Sequence, residues 1–167
     1  ADGRIADGVD EVRKAVREEI KHGSDWIKLL VTGAFMSAGD RPQDVHFSPE
    51  ELRVAVDEAK RHGVPVMAHA HATEGIKAAI RAGVRSIERG AFLDDEAMRM
   101  LGDTGTWLVP TLYIGDYYIA HGDPTGAQAK MIELSKRYKD EQYAWVGKAI
   151  RAGVKIAPGE IERILEE

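Results

Sequence analysis

A repeated punctuation constrains this chain more than any other feature. Gly23, Gly63, Gly83, Gly105 and Gly153 each stand just before a short apolar run, and the segments between those runs carry helical periodicity. A glycine closing a helical pattern is a helix stop, because it enters the left-handed region without a Cβ penalty. Helix, glycine, strand and loop recurring in that order imply right-handed crossovers and a parallel α/β sheet. In such sheets chemistry gathers at the carboxyl ends of the strands.

Val9, Val12, Val16 and Ile20 recur at helical spacing and predict a helix over 9–21, closed by His22-Gly23. Residues 26–31 are nearly continuously apolar apart from Lys28 and predict a buried strand. Residues 32–47 form a long loop rich in Gly, Ser, Asp and Pro, the kind of connection that often carries binding residues. Ser48-Pro49-Glu50-Glu51 combines an N-cap, a first-turn proline and a capping-box glutamate. Leu52, Ala55, Val56 and Ala59 form the buried stripe of that helix. Further helices are expected over 73–82, from Asp94 or Asp95 to about Leu101, and over 125–152, where Met131, Leu134, Tyr138 and Trp145 share a face. Further strands are expected at 64–71, 84–88, 107–112 and 154–157, with Trp107 and Trp145 in the core and a helical tail at 158–167. About five strands suit an open sheet or part of a barrel.

The chain has 167 residues, 44% hydrophobic and 31% charged, which predicts a single globular domain over 1–167. A net charge of -5 argues against a nucleic-acid surface. Without cysteine there is no disulfide and no thiolate metal site. No apolar run reaches membrane-spanning length and no signal-peptide pattern opens the chain, so a cytoplasmic location is the default expectation.

His69 and His71 end an apolar strand two residues apart, so both point to one face. That is either a metal-site pattern or a pair of satisfied core histidines. Glu88, Arg89 and Tyr113 also fall at strand ends, and Lys28 lies in a strand leading there. His22 and His62 sit at helix C-termini, where a structural role is expected.

Taken in order, Trp26-Ile27-Lys28-Leu29, the loop at 33–39, Val66-Met67-Ala68-His69-Ala70-His71, Ser86-Ile87-Glu88-Arg89-Gly90 and Val109-Pro110-Thr111-Leu112-Tyr113 resemble the amidohydrolase superfamily. The resemblance is greatest to its metal-dependent, prolidase-like dipeptidases and carboxypeptidases, and it runs from about residue 8 to 157. It implies part of a (β/α)8 TIM barrel, a binuclear zinc site at the strand ends, and hydrolysis of a small peptide or amide. It assigns Lys28 to the carboxylated, metal-bridging lysine of strand four and His69 to the ligand of strand five. Arg89 stands where the strand-six histidine ligand belongs. The family's first-strand His-x-His pair precedes the region present here, and Lys155-Ile156-Ala157-Pro158-Gly159-Glu160 lacks the aspartate of the last catalytic strand.

Lys28 and His69 therefore remain as an incomplete metal set, with zinc absent or weakly held, and His71, Tyr113 and Arg89 are candidate substrate contacts. If Lys28 is buried, it is expected to pair with Glu88 or Asp25. The chain looks like the central-to-C-terminal strands of the barrel with a rewritten end. The alternative to an amidohydrolase is accordingly a truncated or engineered, non-catalytic scaffold that self-assembles, since open sheet edges invite pairing; a two-fold dimer is expected. A third reading is amine catalysis by Lys28, its pKa lowered by Arg89.

Overall fold

The computed structural model describes residues 4–35 and 39–157. The tail expected at 158–167 lies outside the described residues. Helix α1 (Val9–Lys21) has acids in its first turn and Lys21 in its last, and buries Val12 and Val16. Helix α2 (Pro49–Arg61) carries the expected capping box. The Ser48 side chain accepts from the Glu51 amide at 3.2 Å, and the Glu51 carboxylate accepts from the Ser48 amide at 2.7 Å. Such a cap stabilises by about 1 kcal/mol. Helix α3 (Thr73–Ala82) ends at Gly83, φ 94°. Helix α4 (Asp95–Thr104) is capped by Asp94, which accepts from the Ala97 amide at 2.7 Å.

Between the helices run β1 (Ile27–Leu30), β2 (Val66–Ala70), β3 (Ser86–Arg89) and β4 (Trp107–Val109). They form one sheet in the order β1-β2-β3-β4, parallel throughout. The fifth expected strand is reduced to a single parallel bridge between Leu108 and Ile156, flanked by hydrogen bonds to Lys155 and Ala157.

The register explains which side is core. Ile27, Leu29, Val66, Ala68, Ile87 and Leu108 face the helices and are buried with Leu52, Ile76 and Leu101. Alternation puts Lys28, Leu30, Met67, Ser86, Glu88 and Trp107 on the other face. No helix among the described residues covers the start of that face, and Leu30 is 54% and Trp107 38% exposed. Trp107 is thus not the core residue its composition suggests. Parallel sheets are normally covered on both faces, so this one is half-finished.

The strand expected over 107–112 stops at Val109, because Pro110 has no N–H to extend the ladder. The chain then turns into helix α5 (Leu112–His121), so Tyr113 lies in a helical turn. Helix α6 (Ala129–Arg151) begins later than expected. Asp123 accepts from the Thr125 amide and hydroxyl at 2.8 and 2.7 Å, an Asx-type turn that delays the helix. Helices α5 and α6 pair with each other, and a small apolar cluster of Phe35, Ala91 and Met131 joins them to the loops after β1 and β3.

Candidate functional site

Strand β2 delivers His69, and His71 follows immediately after its end. Both are buried, at 9% and 6% exposure, with ring centroids 4.8 Å apart edge to face. Phe35 stacks on His71 at 4.6 Å and 18°. The His71 amide donates to Thr32 Oγ1 at 2.8 Å, and Thr32 is itself held by an antiparallel bridge to Val45. The loop after β1 is therefore folded back to brace the end of β2.

Two polar atoms here have no hydrogen-bond partner among the described residues: His69 Nε2 and His71 Nδ1. Buried polar atoms are almost always satisfied, so a pair of orphans on adjacent imidazoles marks a place built for something else. Burial pushes the His69 pKa down to about 4, helped by the positive charges of Arg89 and Lys28 and opposed by a hydrogen bond to the Gly33 backbone. Burial takes His71 to about 3, with His69 and Arg89 adding to the effect. Both rings are neutral at pH 7, each with one nitrogen able to accept and one able to donate.

The two histidines line a cavity of about 110 Å³ with Arg89, Phe35, Ile114 and Met131; Thr111, Gly115 and Gln142 complete the polar part of its wall. No carboxylate of the described residues lines it. Arg89 reaches it by breaking the strand. Its register partner is Ala70, on the helix-covered side, and regular alternation would send it there. Instead Arg89 has φ 84°, the one positive value at a non-glycine among the described residues, and Gly90 follows at 60°. A left-handed L-residue costs about 1–2 kcal/mol. That strain turns the guanidinium towards the histidines, and among the described residues it has no ion-pair partner within 4.0 Å.

The structure thus brings His69, His71 and Arg89 together and leaves the other two candidates aside. Lys28 is exposed on the uncovered sheet face and does not line the cavity. The expected ion pair with Glu88 or Asp25 is not formed; Glu88 accepts from Ser86 Oγ at 2.7 Å instead. Lys28 is nevertheless pushed below the usual lysine range, chiefly by desolvation of its ammonium, with Arg89 lowering it further and Glu88 pulling the other way. Tyr113 is not a lining residue; its ring lies 6.1 Å from that of Tyr117 along α5. Sequence reasoning missed Ile114, Met131 and Gln142, which reach the cavity from helices far along the chain and carry no local signal. Phe35 lies in a loop that the sequence marks as functional, but only the fold stacks it on His71.

Residues 2–160 match the pattern of the amidohydrolase family. The chain belongs to that family. It is 39% identical over 155 residues to ochratoxinase of Aspergillus niger, covering 93% of this chain and 32% of that protein. The crystal structure of A. niger ochratoxinase superposes with a TM-score of 0.82 over 93% of this chain and 35% of that one. A Xaa-Pro dipeptidase with bound methionine gives 0.85 at 36% identity, covering 95% of this chain and 41% of that one. A prolidase complexed with N-methylphosphonate-L-proline gives 0.87 at 35% identity, covering 94% and 38%. The chain spans about a third of the length of the curated relatives it matches. The open parallel sheet is thus a portion of an amidohydrolase TIM barrel, and its uncovered face is barrel interior.

Amidohydrolase-family proteins typically bind metal, and the residues here can be tested against that. The two orphaned, neutral imidazole nitrogens suit a cation. The rest does not. A zinc site takes about three or four protein ligands. Among the described residues no group of three His, Cys, Asp or Glu is placed to hold an ion. Lys28 is outside the cavity, and a guanidinium shares it with the histidines. The described residues alone do not fit a binuclear zinc centre. No helix among them is long and apolar enough to cross a membrane.

Proposed function

We propose that this chain is the strand-end portion of an amide-hydrolysing barrel that retains a ligand pocket but does not by itself complete a two-metal centre. The observation that carries this is Arg89 sharing one cavity with His69 and His71, to which no carboxylate of the described residues contributes. A guanidinium about 4 Å from a cation, at an effective dielectric of about 20, repels it by about 4 kcal/mol per unit charge. Arg89 cannot relieve this by losing its proton near neutral pH. The ancestral set then reduces to Lys28 and His69, with His71 beside them. The prolidase and ochratoxinase relatives support a small peptide or amide as the ligand class of an intact barrel of this type.

Zinc titration tests the proposal. Arg89→His should tighten zinc binding over the parent chain, because it adds a ligand and removes a charge. Xaa-Pro dipeptide hydrolysis, with and without added zinc, should stay at background in the parent chain. Tight binding of two zinc ions by the parent chain, with turnover, would sink the proposal.

A second reading is self-assembly, favoured by the uncovered sheet face. Trp26, Leu30 and Trp107 are 44%, 54% and 38% exposed, and a cleft of about 780 Å³ runs along the free β1 edge between Ile5 and Phe47. Such a face is an association surface. We read the chain alone as a two-fold dimer covering it. Light scattering checks this, and a monomer at high concentration would count against it.

A further inference from the structure

We propose that the cavity between His69, Arg89 and the start of α5 is an anion site that takes a small aliphatic carboxylate, with Arg89 as its charged anchor. This goes beyond the proposed function and holds whether or not the chain hydrolyses anything. Three observations converge on it.

The first is Arg89 itself. A guanidinium held in a left-handed backbone lines a cavity to which the described residues contribute no carboxylate and no ion-pair partner. Backbone strain of this kind persists where the surrounding structure overrides it, often at a ligand clamp. Arginine pairs with carboxylates through two parallel N–H···O bonds.

The second is the pair of buried orphans. His69 and His71 are more than nine-tenths buried, and Nε2 of one and Nδ1 of the other lack partners. His71 can carry its ring proton on Nδ1 and donate to a carboxylate oxygen, while His69, whose other nitrogen donates to the Gly33 backbone, keeps Nε2 as an acceptor. The third is α5. Thr111, Ile114 and Gly115 put the first turn of this ten-residue helix against the cavity, and no side chain caps that turn. Its amides and dipole therefore add positive character on the wall facing Arg89.

Size and lining narrow the ligand. A cavity of 150 Å³ is enough for about a benzene-sized guest. The cavity here is about 110 Å³, with Phe35, Ile114 and Met131 forming its apolar wall. A carboxylate on three or four carbons fits, its oxygens towards Arg89 and its methyl groups towards Met131. That carboxylate has two sources, a free short-chain acid or the C-terminus of a peptide.

The test is a titration of the full chain at pH 7 and constant ionic strength, read by calorimetry and by histidine ring proton signals. Isobutyrate should bind at about 1 mM, moving the His69 and His71 signals and leaving His22 unmoved. Isobutyramide, equal in shape and uncharged, should bind at least about tenfold more weakly. N-acetylvaline separates the sources: binding equal to isobutyrate points to peptide C-termini, and exclusion points to free acids, both within the proposal. Arg89→Gly should weaken isobutyrate at least about tenfold, and glycine suits φ 84°, so the variant keeps the fold. Arg89→Lys should recover part of the loss. Equal binding of amide and acid, binding unchanged by Arg89→Gly, or unmoved His69 and His71 signals would overturn the assignment. None of these outcomes bears on zinc affinity, so the two proposals fail separately.

Discussion

Acid should weaken this fold in a window set by His69 and His71. In the unfolded chain each ring titrates near its ordinary value of 6.5, and in the folded chain at about 4 and about 3. Between those values the unfolded chain binds protons that the folded chain refuses. Stability is therefore full above pH 6.5 and falls as pH drops, until about pH 4 for His69 and about pH 3 for His71. Each ring contributes a slope of about 1.4 kcal/mol per pH unit within its window. From pH 7 to pH 5 that amounts to about 2 kcal/mol per histidine and about 4 kcal/mol for both. A domain has only about 5–15 kcal/mol in total, so the loss is a large fraction of it.

Urea unfolding at pH 7, 6 and 5, at fixed ionic strength, measures this directly. Glu58 and Glu96, held below the usual carboxylate range by hydrogen bonds from Arg17 and Lys77, contribute little above pH 5. His71→Phe isolates the cause. A phenyl ring can take the place of the imidazole against Phe35, which lies 4.6 Å from it, and cannot titrate. The variant should lose about half of the pH dependence. Stability that is flat between pH 7 and pH 5, or a full slope retained in His71→Phe, would refute the reasoning.

Two substitutions test the local geometry. Arg89→Gly should stabilise the chain slightly, by about 0.5–1 kcal/mol: relief of a left-handed side chain gives about 1–2, less about 0.4–1 for the greater freedom of glycine in the unfolded state. The urea midpoint reads it, and a destabilised variant would mean that Arg89 makes compensating contacts. Gly75→Ala should cost about 1–3 kcal/mol, because its Cβ would stand 2.4 Å from Thr32 Cγ2. Thr32 also accepts from the His71 amide, so the same variant should shift the His71 amide resonance; a neutral melt with no shift would show that the loop gives way freely.

The helices were legible because their signals are local. The stripe and glycine stops bracket α1 and α3, and Ser48-Pro49-Glu50-Glu51 announces α2 before any packing is considered. Helix α5 escaped because Leu-Tyr-Ile-Gly-Asp-Tyr-Tyr-Ile carries apolar and aromatic residues on every side, so no stripe stands out. The two faces of the sheet were harder. A run such as Trp26-Ile27-Lys28-Leu29-Leu30 reads as buried on both sides, and nothing in it says which layer is present. Trp107 departs from its expected core place for that one reason: it lies on the face that the described residues leave open.

The site divides along the same line. Two histidines two residues apart on a strand must share a face, so the juxtaposition of His69 and His71 follows from strand geometry alone. Arg89 follows from no such rule. Strand alternation places it with Ala70 on the core side, and a residue type disfavoured at positive φ then occupies φ 84° to escape. A chain that needed only a folded sheet would place glycine there, as it does one residue later. Where local preference is overruled without a packing gain, the compensation is sought in function. Here the overruled residue turns a charge into a cavity that also holds two unpartnered imidazole nitrogens, with Thr111 and Gln142 on its wall. The misfit at Arg89 and the orphan at His71 Nδ1 therefore share one explanation: a ligand carboxylate would accept from both.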